Sequence, residues 1–191
     1  MRDAFASVEI AYDDGSPEVS LFVKSPEYLA VRFSLPSGMA EAMLLLFRFY
    51  VGSTGSDVKI HVLDGNGDTN LIQAFTFSPK VGWNDVDLKN RKIRVLDDFW
   101  LALEYLKDGD PAIGFDNSPP IDSRSYIGKP GSWKVIGDMD LMFRATVEPS
   151  GQVSMEKTIQ IYNAFVTAGI ALASVTITAW AIAVPILGSS W

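Results

Sequence analysis

Apolar and polar residues alternate along most of the chain up to Val147, and the period of that alternation is two. In the run from Tyr28 to Leu35, Val31, Phe33 and Leu35 share one side; from Asp57 to Leu63, Val58, Ile60 and Val62 do the same. Phe99, Leu101, Leu103 and Tyr105 repeat the pattern, and Met139, Leu141, Phe143, Ala145 and Val147 alternate with Asp140, Met142, Arg144 and Thr146. A period of two places successive side chains on opposite faces of a half-buried strand. Shorter candidates lie at Ala4 to Tyr12, Val19 to Val23, Leu71 to Phe77, Asp85 to Leu88, Ile93 to Leu96 and Trp133 to Ile136. The run Met43 to Val51 is almost continuously apolar. Only its beginning, Met39 to Phe47, competes as a helix, and the flanking turns favour a strand. Turn residues punctuate the runs, as at Asp13-Asp14-Gly15-Ser16-Pro17 and Pro36-Ser37-Gly38. Many short strands without an amphipathic helix predict an all-β fold, a single jelly-roll-like β-sandwich over residues 1–147.

The pattern then changes. Glu148-Pro149-Ser150-Gly151-Gln152 opens a linker expected over 148–157, and from Thr158 to Trp191 no side chain is charged. At ~1.5 Å rise per residue, a helix from Ala164 to Leu187 would cover the ~30 Å of a hydrocarbon core. The chain therefore reads as a β-sandwich head followed by one C-terminal hydrophobic α-helix over 158–191, lodged in a membrane or in the interior of an assembly. Thr167, Ala171, Ser174, Thr178 and Ala181 fall on one face of that helix, a small-residue stripe suited to self-association; a plain anchor is the alternative. At the other end, Asp3 and Glu9 interrupt any signal-peptide pattern.

Charge narrows the function. Among 191 residues, 23 are acidic and 16 basic, a net charge of −7 that falls wholly before the tail, so nucleic acid is not an expected partner. The chain has no cysteine and one histidine, His61, which the alternation puts on the outward face of its strand. With no nucleophile elbow, phosphate loop or dinucleotide fingerprint, no catalytic residues, no organic cofactor and no enzyme activity are expected.

Three groupings bear on binding. Asp64, Asn66 and Asp68 present oxygens at alternate positions, as calcium loops do, although Phe75 stands where such a loop would end in glutamate; the same residues suit a hairpin turn. Asp116, Asp122 and Arg124 lie in a Pro-rich loop and suggest a salt-bridged loop clamp, with sugar or metal binding as the alternative and Asp13 and Asp14 as neighbours. Trp83, Trp100, Tyr105, Tyr126 and Trp133 belong mainly to a core, only Trp100 having a parity opposed to the inward set, with a platform for stacking on sugar rings as the alternative.

As a set, YDDGSPE (Tyr12 to Glu18), LAVRFSLP (Leu29 to Pro36), RFYV (Arg48 to Val51), IHVLDGNGD (Ile60 to Asp68), GWNDVDL (Gly82 to Leu88), DFWLALEY (Asp98 to Tyr105) and GFDNSPPIDSRSYIG (Gly114 to Gly128) resemble β-sandwich modules that recur in exported and surface proteins of bacteria and archaea. The resemblance covers Ala11 to Ala145. It implies a non-catalytic domain for display, adhesion or assembly. Two functions are then expected: a structural subunit of a virion shell or surface filament, a homo-oligomer held through its tail, or a membrane-anchored cell-surface module that recognises a glycan or a protein.

Overall fold

The computed structural model describes residues 6–53, 55–108 and 111–150. The first half contributes β1 (Val8–Ala11), β2 (Val19–Leu21), β3 (Tyr28–Ser34), β4 (Glu41–Ser53), β5 (Val58–Leu63), β6 (Phe75–Phe77) and β7 (Gly82–Asp87). After a single 3-10 turn at Lys89–Arg91 come β8 (Ile93–Leu96), β9 (Asp98–Tyr105), β10 (Ala112–Asp116), β11 (Ser125–Lys129), β12 (Ser132–Ile136), β13 (Asp140–Leu141) and β14 (Phe143–Pro149). Six strands form one sheet in the order β12-β11-β3-β9-β5-β6. Eight form the other along the path β1-β14-β4-β10-β13, with β7 and β8 also paired to β4 and β2 to β10. Every pairing is antiparallel, so the described region is an all-β sandwich.

The inward sets read from the alternation meet in one core. Leu29, Val31 and Phe33 of β3 pack with Phe99, Leu101, Leu103 and Tyr105 of β9 and with Phe47, Phe49, Phe143 and Val147 from the opposite sheet. Burial of apolar surface on this scale is the main favourable contribution to folding.

The apolar run that competes as a helix is the centre of β4, the longest strand at 13 residues. It changes parity midway: Ala42 and Leu44 are buried, then Phe47, Phe49 and Val51. The switch is a β-bulge, because Thr146 pairs with Leu46 while Val147 pairs with Leu44, leaving Leu45 without an opposite residue. A bulge puts two residues of one strand against one of its partner and resets which face each side chain takes. That is why the sequence of this strand shows no clean period.

Some boundaries move. The candidate strand Leu71 to Phe77 keeps only Phe75–Phe77. At the far end β14 runs through Pro149, where Glu148 pairs with Met43 and Pro149 with Ala42, so the first residues of the expected linker belong to the sheet. The expected hydrophobic helix, with Thr167, Ala171, Ser174, Thr178 and Ala181, lies outside the described residues. Among the described residues no helix is long and apolar enough to cross a membrane.

Candidate functional site

The six-stranded sheet turns one face to the core and the other to a second, smaller cluster. Ala30, Leu63, Trp100 and Ala102 are buried there, with Tyr28, Tyr126 and Trp133 packed on them half-buried. Parity produces this arrangement: between the inward Phe99 and Leu101, Trp100 must face out, beside Leu63 of β5. The Trp133 ring lies nearly parallel to Trp100 at 5.4 Å between centroids, and Tyr126 approaches Trp100 at 4.5 Å. Offset stacking of this kind adds to the area the rings bury.

The segment Asp64 to Asn70 closes over the two indoles. The Trp100 Nε1–H donates to the Gly65 carbonyl at 3.1 Å, and the Trp133 Nε1–H donates to the Gly67 carbonyl at 2.6 Å. Gly67 has φ +74°, and a Cβ there would lie 2.8 Å from Trp100 Cε2 and 2.9 Å from Trp133 Nε1. Only glycine fits this backbone against the rings. Gly128, opposite both Tyr28 and Trp133, has φ +146°, and a Cβ there would meet the Ser132 carbonyl oxygen at 2.2 Å. The missing side chain leaves the two aromatic neighbours facing each other, edge to face at 6.3 Å.

Within the closing segment, the Asp64 Oδ1 accepts the backbone N–H groups of Gly67 at 3.0 Å, Asp68 at 3.3 Å and Thr69 at 3.4 Å. Partial desolvation pushes the Asp64 carboxyl up, yet these N–H bonds together hold it below the ordinary carboxylate range. Asp68 accepts the Thr69 hydroxyl at 2.8 Å, and Asn66 is exposed. Asp64 thus caps its own turn.

A polar network extends the face toward β5. His61 is 5% exposed, against the surface position expected for it, because Asn70 and Tyr28 cover the outward side of the strand. Its Nε2 lies 2.9 Å from Glu104 Oε2 and its Nδ1 3.1 Å from Asn70 Oδ1. Burial first, and then the charge and hydrogen bond of Glu104, push the Tyr28 hydroxyl up to about 12. Lys59 stands 3.6 Å from the same carboxylate. A shallow cleft of about 360 Å³ borders the aromatic cluster, lined by Glu27, Ile127, Gly128, Ser132, Trp133 and Lys134. An indole ring beside a carboxylate, a hydroxyl and an ammonium can stack on the apolar face of a sugar ring while the polar groups bond its hydroxyls.

The expected loop clamp is divided. The Arg124 Nη1 donates to the Ser34 hydroxyl at 2.8 Å and to the Arg32 carbonyl at 3.3 Å, and the guanidinium lies 4.9 Å over the Tyr12 ring. No ion pair joins it to Asp116 or Asp122 among the described residues. It belongs to β3, because Arg124 directly precedes β11 and the Arg32 N–H bonds its carbonyl oxygen. Asp116, buried at the end of β10, accepts N–H groups from Asp14 and Ser118, both at 2.7 Å. The Asp122 N–H donates to Asp140 at 2.9 Å. Asp140, absent from the sequence-based set, joins this group through the pairing of β13 with β10, which brings it opposite Asp116.

No protein-family model matches the chain, and no curated protein does. Among solved structures it is similar to a clostridial cysteine protease, Cwp84, after propeptide cleavage, with a TM-score of 0.55 and 12% identity over 75% of this chain and 40% of that one. A second structure, described as the cysteine protease and lectin-like domains of Cwp84, a surface layer associated protein of Clostridium difficile, is 14% identical with a TM-score of 0.47, covering 66% of this chain and 33% of that one. The chain spans about two fifths of the length of the first. At this identity the first likeness speaks for the fold alone.

Proposed function

We propose that the chain is a non-catalytic cell-surface module whose jelly-roll-like sandwich binds a glycan on the outer face of the six-stranded sheet. The observation that carries the reading is Trp133, half-buried, backed by Trp100 and bordering an open cleft with Glu27, Ser132 and Lys134 at hand. A stacked indole is already held in place, so binding orders little additional side chain. The test is retention of the full-length protein on immobilised bacterial surface polysaccharides, wild type against Trp133→Ala. Retention that Trp133→Ala abolishes supports the proposal; wild-type protein that passes through every polysaccharide tried defeats it.

The uncharged stretch from Thr158 to Trp191 supports a second part of the proposal. It would attach the head to a membrane or to other copies, with Thr167, Ala171, Ser174, Thr178 and Ala181 at the contact, and repeated attachment would make the protein a subunit of a surface filament or shell. Replacing Ala171 and Ser174 by Leu should shrink the detergent-solubilised oligomer. An unchanged sedimentation profile would reduce the stretch to a plain anchor.

A further inference from the structure

Asp14, Glu18, Asp116, Asp122 and Asp140 belong to the region where β2, β10 and β13 of the eight-stranded sheet meet. Ligand oxygens of Asp14, Glu18 and Asp116 all lie within 4.8 Å of one another. Two oxygens bound on opposite sides of one calcium ion at ~2.4 Å are separated by about that distance. The grouping is built by the fold rather than left to flexible side chains. The Asp14 N–H donates to Asp116 Oδ2 at 2.7 Å, the Ser118 N–H to Asp116 Oδ1 at 2.7 Å, and the Asn117 N–H to Glu18 Oε2 at 3.3 Å. Glu18 is itself tied by its own N–H to the Phe115 carbonyl at 3.1 Å.

A separate observation concerns Asp140, which is 1% exposed. Its Oδ2 accepts the Asp122 N–H, but its Oδ1 is buried without any hydrogen-bond partner. Asp140 is the register partner of Asp116, so the two carboxyls leave the same face of adjacent strands. Among the described residues, no lysine or arginine pairs with Asp14, Glu18, Asp116, Asp122 or Asp140. Opposed buried carboxylates without a counter-charge are costly, and a cation relieves that cost for the whole group.

We propose that Asp14, Glu18 and Asp116 bind a divalent cation, calcium by the all-oxygen chemistry of the donors, and that the buried carboxylate of Asp140 is neutralised by the same ion. Asp14 and Glu18 are exposed, which gives the ion its route from solvent. Calcium then joins the turn after β1 to the end of β10, two segments far apart in the chain. The inference is independent of the glycan reading.

The experiment is calorimetric titration of the EDTA-treated full-length protein with calcium chloride, paired with thermal unfolding at each calcium level. One ion per chain with a dissociation constant of about 10⁻⁴–10⁻³ M is expected, the range of extracellular modules, together with a rise in melting temperature. Glu18→Gln, at an exposed position, should keep the fold and weaken binding by about tenfold. Asp68→Asn, in the other acidic turn, should leave the affinity as it was. Absence of calcium heat with unchanged unfolding overturns the proposal. So does binding that survives Glu18→Gln but is lost in Asp68→Asn. Wild type indifferent to calcium while Asp140→Asn is more stable in EDTA also overturns it, because a proton would then be neutralising the pair.

Discussion

The outer faces of the two sheets are covered in opposite ways. On the eight-stranded sheet, Arg48 and Arg144 stand directly opposite each other on β4 and β14, an unfavourable like-charge pair in isolation. Glu9 of β1 reaches both, at 3.6 Å and 3.2 Å, while Asp85 takes Arg48 at 2.6 Å and Asp13 takes Arg144 at 2.5 Å. Trp83 is used up beneath this lattice, with the Arg144 guanidinium 4.8 Å over its ring and Tyr50 against its edge. On the six-stranded sheet the cover is a glycine-bearing turn pinned by two indole N–H groups, and Trp133 lines a cleft. A charged lattice closes a face by satisfying its members among themselves; an aromatic stack beside a cleft leaves capacity for a ligand.

That contrast can be broken from either side. The largest effect is expected from Arg144→Ala, because the Asp13 side chain is fully buried and would lose its partner. A loss of about 3 kcal/mol in chemical denaturation is expected, since the remaining carboxylate is buried and uncompensated; a loss within error would mean that Asp13 relaxes into water. Gly67→Val should follow at about 2 kcal/mol, combining a left-handed backbone with a collision against both rings. Its signature is a red shift of tryptophan emission as the turn lifts from Trp100 and Trp133, and an unshifted spectrum would contradict the pinned turn.

Smaller effects sharpen the picture. Arg48→Ala removes a largely exposed pair and should cost about 0.5 kcal/mol, screened by salt. Asp98 offers a pH test. Partial burial pushes its carboxyl up, but hydrogen bonds from Ser34 and Arg32 and the charges of Arg32 and Arg124 outweigh this and hold it below the ordinary value. A depressed folded value adds stability above the unfolded carboxylate pKa of ~3.9 and loses it as pH falls through the lower folded value. Asp98→Asn should therefore lower stability at pH ~7, flatten the acid limb of the stability curve and change little once the pH is below the folded value. An unaltered acid limb would assign acid sensitivity to other carboxylates.

How much of this could be read beforehand depended on how local the cause was. Alternation in Tyr28 to Leu35, Asp57 to Leu63 and Phe99 to Leu106 placed the inward residues, because a strand with one buried face carries its own record. The same parity singled out Trp100. It misplaced His61, since being covered depends on Tyr28 and Asn70 meeting over it. It likewise put Asp140 and Met142 outside, although both are buried. The Leu45 bulge left no local mark beyond a run with no period. Asp116, Asp122 and Arg124 are neighbours in sequence, yet Arg124 turns to β3, while the residue opposite Asp116 is Asp140, brought there only by strand register.

The central claim is that ligand recognition belongs to the six-stranded face. Its most direct test is a titration of tryptophan fluorescence with a solubilised surface polysaccharide in three proteins: wild type, Trp133→Ala and Trp83→Ala. The account predicts that wild type and Trp83→Ala respond with the same midpoint and that Trp133→Ala does not respond. A response that persists in Trp133→Ala and disappears in Trp83→Ala would place binding on the eight-stranded face and contradict the claim.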